Sequence, residues 1–281
     1  MLKRIITATV LIACMVGVFF LRELSKYVFD AFLFLVIIGA MYEISSSFKK
    51  AEIKTSTLSL GLYLLFYGVG YYLLGIDGVA IAIMLGLVVA LIYFTFAKEF
   101  GLKDLGATVV TMLYPSVFLY FAIAINHFTN GLLVMLLVLL VAVFTDTFAY
   151  FVGSFVKGKK LCPTISPKKT ISGAIGGLAG GMIASVLVYF LFEVWNVFGV
   201  ESNLLGFGAD VVILVYLVLG LVGAVADEVG DLVASQLKRK SGIKDFGNIF
   251  PGHGGIMDRI DGISFVVVFI PLIIRLFTVI L

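Results

Sequence analysis

Six acidic residues lie in or beside the later apolar stretches of this chain, and they are candidates for metal binding and catalysis. They are Asp146, Asp227, Glu228, Asp231, Asp258 and Asp261. An ionised side chain at the centre of a bilayer costs at least about 2.5–3.5 kcal/mol, so residues of this kind are candidates for function. On an α-helix, one stripe would hold Asp227, Asp231, Ser235 and Lys238.

Carboxylates gathered near one end of a helical bundle repel one another unless positive charge lies between them. Lysine or arginine could supply that charge, and so could a hard metal ion. Mg²⁺ suits a few carboxylates supplemented by water and substrate phosphates. Zinc would require histidine and cysteine ligands, and the chain has 2 of each. Simpler explanations exist for single residues: Asp258 and Asp261 could be acids of a helix N-terminus, and Asp146 could be the structural partner of a lysine.

Two segments beside these acids, about 153–170 and 239–261, are basic and rich in Gly, Pro and Ser. Backbone N–H groups in such segments, together with Lys and Arg side chains, can hold phosphate. A solvated loop that only follows membrane topology would also be basic. Likewise, the Pro-Gly-His-Gly-Gly sequence at 251–255 could simply reverse the chain before a last helix. The neighbouring carboxylates favour the phosphate interpretation.

A longer pattern joins these features. It reads Ser-Gln-Leu-Lys-Arg from residue 235, Lys-Asp at 244–245, Pro-Gly-His-Gly-Gly at 251–255 and Asp-Arg-Ile-Asp at 258–261. These 27 positions resemble the signature of phosphatidate cytidylyltransferases, also called CDP-diacylglycerol synthases. A second block, from Asp146 to Gly173, is similar to the same family and includes Ser-Pro-Lys-Lys-Thr at 166–170. The family often has an acid before the serine, where this chain has Ala234, so that position is no essential ligand here.

The resemblance implies an enzyme in which the phosphate of phosphatidic acid attacks the α-phosphorus of CTP, giving CDP-diacylglycerol and pyrophosphate. It implies Mg²⁺ as the cofactor, with room for a second cation. The implied metal ligands are Asp231, Asp258 and Asp261, with Asp146 as a fourth candidate. The implied catalytic residues are Asp231, Asp258, Asp261, Lys238 and Arg239. The implied contacts to substrate are Ser166, Lys168, Lys169, Ser235, Lys244, His253, Gly254, Gly255 and Arg259.

The expected partners are CTP, phosphatidic acid and membrane lipid, and no nucleic acid is expected. A homodimer is an expectation from the family alone. Among enzymes, a polyprenol kinase and a CDP-archaeol synthase stay open as alternatives. A cation-coupled transporter also places acids in membrane helices, but it predicts inverted repeats and interrupted helices in both halves. Here nearly all the unusual residues follow position 145.

We expect membrane helices to carry most of these residues. The 281-residue chain is 62% hydrophobic and 13% charged, with a mean hydropathy of +1.17, whereas soluble domains are about half apolar and a quarter charged. A bilayer core needs about 20 apolar residues per helix. Nine stretches qualify: 5–21, 28–42, 57–74, 79–97, 107–125, 132–152, 171–192, 211–238 and 262–281. We therefore expect an all-α polytopic membrane protein with about nine transmembrane helices.

The basic residues orient these helices. Seventeen of the 20 Lys and Arg residues fall on one side of the arrangement, which the positive-inside rule assigns to the cytoplasm together with the amino terminus. We expect a multi-pass protein of the inner (plasma) membrane whose active site faces the cytoplasm. Motif content divides the chain into an amino-terminal scaffold, 1–130, and catalytic helices, 131–281. Small residues repeated through 173–181 predict close helix packing.

Overall fold

Helices make up most of the computed structural model, which describes residues 25–197 and 209–280 together with Gly17, Phe20, Arg22 and Glu23. Eight helices in this part of the chain are long and apolar enough to cross a membrane. They are α1 (Lys26–Lys50), α2 (Thr57–Leu74), α3 (Ile76–Phe96), α4 (Leu102–His127), α5 (Gly131–Val156), α6 (Ile171–Tyr189), α7 (Ala209–Lys240) and α8 (Met257–Ile280). The predicted all-α polytopic membrane fold is confirmed, while the predicted span 5–21 lies almost wholly outside the described residues.

Several helices run further than their apolar stretches. The sequence predicts a second span at 28–42, but α1 continues to Lys50 through polar residues. Similarly, α4 begins at Leu102 and α5 ends at Val156, a few residues outside the predicted limits. Hydropathy detects the part of a helix that lipid covers, whereas backbone hydrogen bonding carries the helix beyond it. The extension of α1 places Glu43 on a helix instead of in a loop.

The basic segment after α5 is folded as a hairpin, which the sequence analysis did not predict. β1 (Lys160–Cys162) pairs antiparallel with β2 (Ser166–Thr170). The second strand leads directly into α6, where Thr170 is the N-cap and its hydroxyl accepts a hydrogen bond from the N–H of Gly173 at 3.1 Å. The hairpin therefore holds the Ser-Pro-Lys-Lys-Thr sequence in extended form at the start of a helix.

Glycines let α5 and α6 lie against each other at short distance. A Cβ built on Gly173 would lie 2.9 Å from the carbonyl oxygen of Ala149, and one built on Gly180 would lie 2.6 Å from that of Phe144. Larger side chains at these positions would push the helices apart. The predicted close packing of the glycine-rich run 173–181 is confirmed.

The backbone divides into two compact units. The first contains the described residues up to Ala124 and the segment Leu237–Arg259, and the second contains the described residues of 125–236 and 260–281. The segment that carries most of the family pattern thus belongs with the amino-terminal helices. The sequence analysis divided the chain at residue 130 according to where the motifs lie. That separation of scaffold from catalytic helices concerns function, and it stays a prediction.

Buried hydroxyl groups link helices within the first unit. The hydroxyls of Tyr63 on α2 and Ser116 on α4 are 2.6 Å apart. The N–H of Ser56, just before α2, donates to the hydroxyl of Thr108 at 3.0 Å. Such contacts stabilise helix association in lipid, where apolar side chains gain little by leaving their surroundings.

Close approach at glycines also organises the second unit. A Cβ built on Gly220 of α7 would lie 2.6 Å from the carbonyl oxygen of Gly181 on α6. A Cβ built on Gly230 of α7 would lie 2.7 Å from the carbonyl oxygen of Asp261 on α8. These two contacts bring the polar half of α7 next to both neighbouring helices.

Candidate functional site

Asp227 lies at the centre of an acidic cluster in the second unit. The residue is 2% exposed, and Asp146, Asp231 and Asp261 are close enough to interact with it electrostatically. Gly262 makes this arrangement possible, because a Cβ built there would overlap the Asp227 carboxylate. The cluster therefore gathers acids from α5, α7 and α8.

Glu228 also belongs to this cluster, although it lies beside the predicted stripe of α7. The residue is buried, and a Cβ built on Gly177 of α6 would lie 2.7 Å from its Oε1. Among the described residues, Oε1 of Glu228, Oδ2 of Asp227 and the hydroxyl of Thr145 are buried without a hydrogen-bond partner. Buried carboxylate oxygens without donors are costly. These orphaned oxygens therefore point toward a cationic or hydrogen-bonding ligand.

Lys169 neutralises part of the acidic cluster. Its Nζ lies 2.8 Å from Oδ2 of Asp231, and both side chains are partly exposed. Burial lowers the pKa of Lys169, but Asp231, then Glu228 and Asp146, raise it, and the net shift is upward. The lysine is therefore charged at neutral pH, and β2 contributes the cation that the sequence left open as an alternative to a metal ion.

The donors of the acidic cluster suit some metal ions better than others. Over the described ranges, no three Asp, Glu, His or Cys side chains are arranged as ligands around one point. The donors that are present are hard carboxylate and hydroxyl oxygens, two of them orphaned carboxylate oxygens. Mg²⁺ binds through one or two carboxylates and fills its remaining positions with water and substrate phosphates. The residues present therefore fit Mg²⁺ better than a metal that needs a complete protein cage.

Asp258 has a different environment, in the first unit. Its side chain is 4% exposed, and Oδ1 lies 2.8 Å from Nζ of Lys238. Oδ2 accepts hydrogen bonds from the N–H groups of Phe246 at 2.8 Å and Gly255 at 2.9 Å. Nζ of Lys238 also lies 5.3 Å from the centroid of the Phe246 ring, within cation–π distance. Asp258 and Lys238 thus anchor the segment between α7 and α8, and their predicted roles toward metal and phosphate stay predictions.

The Pro-Gly-His-Gly-Gly sequence forms a tight turn within this segment. The N–H of Phe250 donates to the carbonyl of Gly254, and the N–H of His253 donates to the carbonyl of Phe250, both at 2.9 Å. Gly252 and Gly254 have φ of +81° and +82°, a region that favours glycine. Nδ1 of His253 is buried and lacks a hydrogen-bond partner in the described part of the chain. The turn therefore holds the imidazole of His253 with this ring nitrogen buried.

Glu43 on α1 is a polar residue of this region that the sequence analysis missed. Its carboxylate accepts hydrogen bonds from the N–H groups of Ile256 at 2.9 Å and Met257 at 2.8 Å. The second span predicted from hydropathy ends at residue 42, so Glu43 was expected to lie in the loop that follows. The sequence does contain a signal: Glu43 directly follows an apolar stretch. An acid at such a position must either be exposed to solvent or have a hydrogen-bonding or charged partner.

The remaining predicted substrate contacts fall into the two units separately. In the second unit, Ser166 and Lys168 lie on β2 and Ser235 lies on α7. In the first unit, the predicted contacts Lys244 and Arg259 are exposed around the segment between α7 and α8, as is Arg239, which was predicted to be catalytic. Exposed Lys and Arg side chains suit contacts with a phosphate that arrives from solution. Their role as contacts to substrate phosphate stays a prediction.

Comparison with known proteins identifies relatives along most of the chain. A family model described as "Cytidylyltransferase family" matches residues 2–277. The phosphatidate cytidylyltransferase of Bacillus subtilis (strain 168) is 31% identical over 268 residues, which cover 88% of this chain and 94% of that protein. The phosphatidate cytidylyltransferase of Staphylococcus haemolyticus (strain JCSC1435) is 37% identical over 170 residues, 60% of this chain and 58% of that protein. That of Brucella abortus biovar 1 (strain 9-941) is 40% identical over 119 residues, 42% of this chain and 38% of that protein.

Proposed function

Because the chain belongs to the cytidylyltransferase family, we propose that it makes CDP-diacylglycerol and pyrophosphate from CTP and phosphatidic acid. The names of the relatives supply the reaction and its substrates. The structural observation that carries the proposal is the acidic cluster around Asp227, with its orphaned carboxylate oxygens. Carboxylates buried among membrane helices suit an enzyme that must bring cations to phosphate groups.

The proposed reaction requires no general base. A phosphate monoester has its second pKa near 6 and is mostly a dianion at pH 7. One of its oxygens forms the bond to the α-phosphorus of CTP, and the bond from that phosphorus to the bridging oxygen breaks. Pyrophosphate leaves with the electron pair of the broken bond. The difficulty is the approach of two polyanions, and fixed positive charge lowers that barrier.

Mg²⁺ is the proposed cofactor, and a second cation is allowed. When bound, it would supply positive charge to the phosphates where negative charge develops. Asp231 and Asp261 of the acidic cluster are the proposed ligands, with Asp146 as a further one, and Asp227 adds an orphaned oxygen. Asp258 keeps its place among the proposed ligands from the family pattern, although protein groups already contact both of its oxygens.

Basic side chains and backbone N–H groups are proposed to hold the phosphates. Lys168, Lys169 and Ser166 of β2 would do so in the second unit, together with Ser235. Lys238, Arg239, Lys244 and Arg259 would do so in the first unit, with the turn at 253–255. Arg and Lys make charge-assisted hydrogen bonds to phosphate that are about twice as strong as neutral ones.

The proposed location is the inner (plasma) membrane, with the active site facing the cytoplasm. The helices and the bacterial relatives support a multi-pass membrane protein, and the distribution of Lys and Arg supports the orientation. A homodimer is part of the proposal on the family alone. CTP is a cytoplasmic solute, so this orientation gives the nucleotide direct access.

Related reactions serve as the alternatives. A polyprenol kinase would pass the γ-phosphate of CTP to a lipid alcohol, and a CDP-archaeol synthase would accept an ether-linked lipid phosphate. A cation-coupled transporter would form no nucleotide product. The family relationship favours cytidylyl transfer to phosphatidic acid over all of these.

The test is an assay of purified protein with CTP labelled separately at the α- and γ-phosphates. With phosphatidic acid, we expect α-label in a CDP-lipid and γ-label in pyrophosphate. Excess EDTA should abolish turnover, and Mg²⁺ or Mn²⁺ should restore it. Transfer of γ-label to lipid would identify a kinase, a strong preference for an ether-linked lipid phosphate would identify the archaeol enzyme, and full turnover in EDTA would overturn the metal assignment.

A further inference from the structure

Glu43 is a buried acid on α1, at the point where the apolar part of that helix ends. The residue is 2% exposed, and α1 carries it in the first unit among apolar neighbours such as Ile44 and Met41. An acidic residue buried in a membrane helix is energetically costly, which makes it a candidate for function. Neither the family pattern nor the acidic cluster includes it.

Both carboxylate oxygens of Glu43 bind the start of α8. Oε1 accepts from the N–H of Ile256 at 2.9 Å, and Oε2 accepts from the N–H of Met257 at 2.8 Å. The first N–H groups of a helix have no partner within it, and they carry partial positive charge. Glu43 satisfies two of these groups from a helix more than 200 residues away in sequence.

The surroundings of Glu43 fit its carboxylate closely. Cβ atoms built on Gly247 and Gly255 would each overlap that carboxylate. One turn earlier on α1, a Cβ built on Gly39 would overlap the side chain of Ile256. Glycines at these three positions therefore leave the space that the carboxylate and the start of α8 occupy.

Glu43 and Asp258 together hold three successive backbone N–H groups. The N–H of Gly255 donates to Asp258, and those of Ile256 and Met257 donate to Glu43. The segment between them joins the histidine turn to the first turn of α8. Its position is thus fixed by two carboxylates from different helices.

We propose that Glu43 is a positioning residue for the segment 253–258, which it holds in place through the amides of Ile256 and Met257. The consequence for catalysis rests on the proposed function, since that segment contains His253, Gly254, Gly255 and Asp258. Glu43 touches no substrate in this proposal and acts only through the backbone. A misplacement of the order of 1 Å can cost about 100-fold in rate.

The first test is Glu43→Gln, which keeps the shape but replaces one acceptor oxygen with a donor. We expect kcat at saturating CTP to fall about 10- to 100-fold. We also expect faster hydrogen exchange, measured by mass spectrometry, in peptides that contain Ile256 and Met257. Glu99→Gln is the matched control, because Glu99 is exposed in the same unit, and it should change neither quantity.

The second test leaves Glu43 unchanged. Gly247→Ala places a Cβ against the Glu43 carboxylate and should raise the same exchange rates and lower kcat. Gly106→Ala is its control, since a Cβ built on Gly106 meets nothing within 4 Å. The double variant Glu43→Gln with Gly247→Ala should cost little more than either change alone, because both act on one contact.

The outcomes separate this proposal from the proposed function. If the wild type makes no CDP-lipid, the proposed function fails, while the exchange rates still decide whether Glu43 holds the segment. Wild-type exchange and wild-type kcat in Glu43→Gln would overturn the positioning role. Loss of activity with unchanged exchange would also overturn it, because Glu43 would then act by another route.

Discussion

Asp231 and Asp258 each form an ion pair with a lysine at 2.8 Å, but their surroundings differ. The side chain of Asp231 is 29% exposed and belongs to a group of acids with orphaned oxygens. That of Asp258 is 4% exposed and also accepts two backbone hydrogen bonds. Substitutions at the two positions should therefore differ in their effect on stability.

We predict that Asp231→Asn and Asp261→Asn each lower the rate of CDP-lipid formation at least ~100-fold, as expected when a cation that stabilises charge is lost. Both variants should fold, because removing one of several like charges relieves repulsion. The double variant should lose little more, since residues that act as a unit are non-additive. Rates and melting temperatures in detergent check this, and a folded single variant with near-normal turnover would contradict it.

Asp258→Asn should lose activity to a similar degree, at least ~100-fold, but with an additional loss of stability. An amide cannot accept from Phe246 and Gly255 and also pair with Lys238 as the carboxylate does. Leaving a buried donor without its partner costs about 1–3 kcal/mol. Thermal unfolding compared with Asp231→Asn measures the difference. Equal melting temperatures for the two variants would argue against the anchoring role of Asp258, and near-normal activity would argue against its place in the metal site.

Lys169→Met should lower turnover about 10-fold or more, because the acidic cluster then loses a fixed positive charge. The pKa of Lys169 is raised. The stability that its charge contributes is complete below the pKa of an unfolded lysine, about 10.4. That stability is lost only as pH rises through the higher pKa of the folded protein. Lys169 therefore keeps its charge between pH 7 and 9. The loss of turnover should accordingly stay constant between pH 7 and 9. Lys160→Met, exposed on β1, is the control; a deficit that vanished by pH 9 would contradict the assignment.

At the scale of elements, the segment between α7 and α8 depends on backbone geometry as well as side chains. Gly254 has φ of +82°, and a Cβ built there would lie 2.7 Å from Oδ2 of Asp258. The left-handed conformation and the close approach both exclude other residues. The turn and the Asp258 anchor are therefore one structural feature.

Gly254→Ala should consequently lower the free energy of unfolding by about 1–3 kcal/mol, the usual cost of a strained backbone position. Turnover should fall with it, since His253 and Asp258 lose their relative placement. Gly61→Ala on α2 is the matched control, because a Cβ there meets nothing within 4 Å. The measurement is thermal unfolding with turnover at a temperature where both variants are folded. Wild-type values for Gly254→Ala would show that the turn relaxes without cost.

For the whole molecule, the charge distribution predicts the orientation in the membrane. α6 separates the basic hairpin from Trp195, so Lys159 and Trp195 should lie on opposite sides of the bilayer. With Cys14 and Cys162 replaced by Ser, we expect an impermeant maleimide to label Trp195→Cys in intact cells and Lys159→Cys only after lysis. Labelling of Lys159→Cys from outside would reverse the proposed orientation and remove the site from the cytoplasm.

Sequence patterns alone identify the membrane class, the family, and the eight described spans to within a few residues at most ends. Each of these depends on information that is local along the chain. Hydropathy over about 20 residues reports whether lipid can cover a helix, and the glycine run 173–181 reports close packing in the same way. The family pattern is likewise a contiguous block, from residue 235 to 261.

The partners of Asp231, Asp258 and Glu43 could not be predicted from the sequence. The sequence analysis grouped Asp258 with Asp231 and Asp261 because of the family pattern. In the structure, Asp258 pairs with Lys238 and accepts backbone hydrogen bonds, whereas Asp231 pairs with Lys169. The role of Glu43 depends on amides 213 and 214 residues further along the chain. Helix packing creates such contacts, and glycines far apart in sequence leave the space that the contacts need. Neither hydropathy nor motif spacing contains that information.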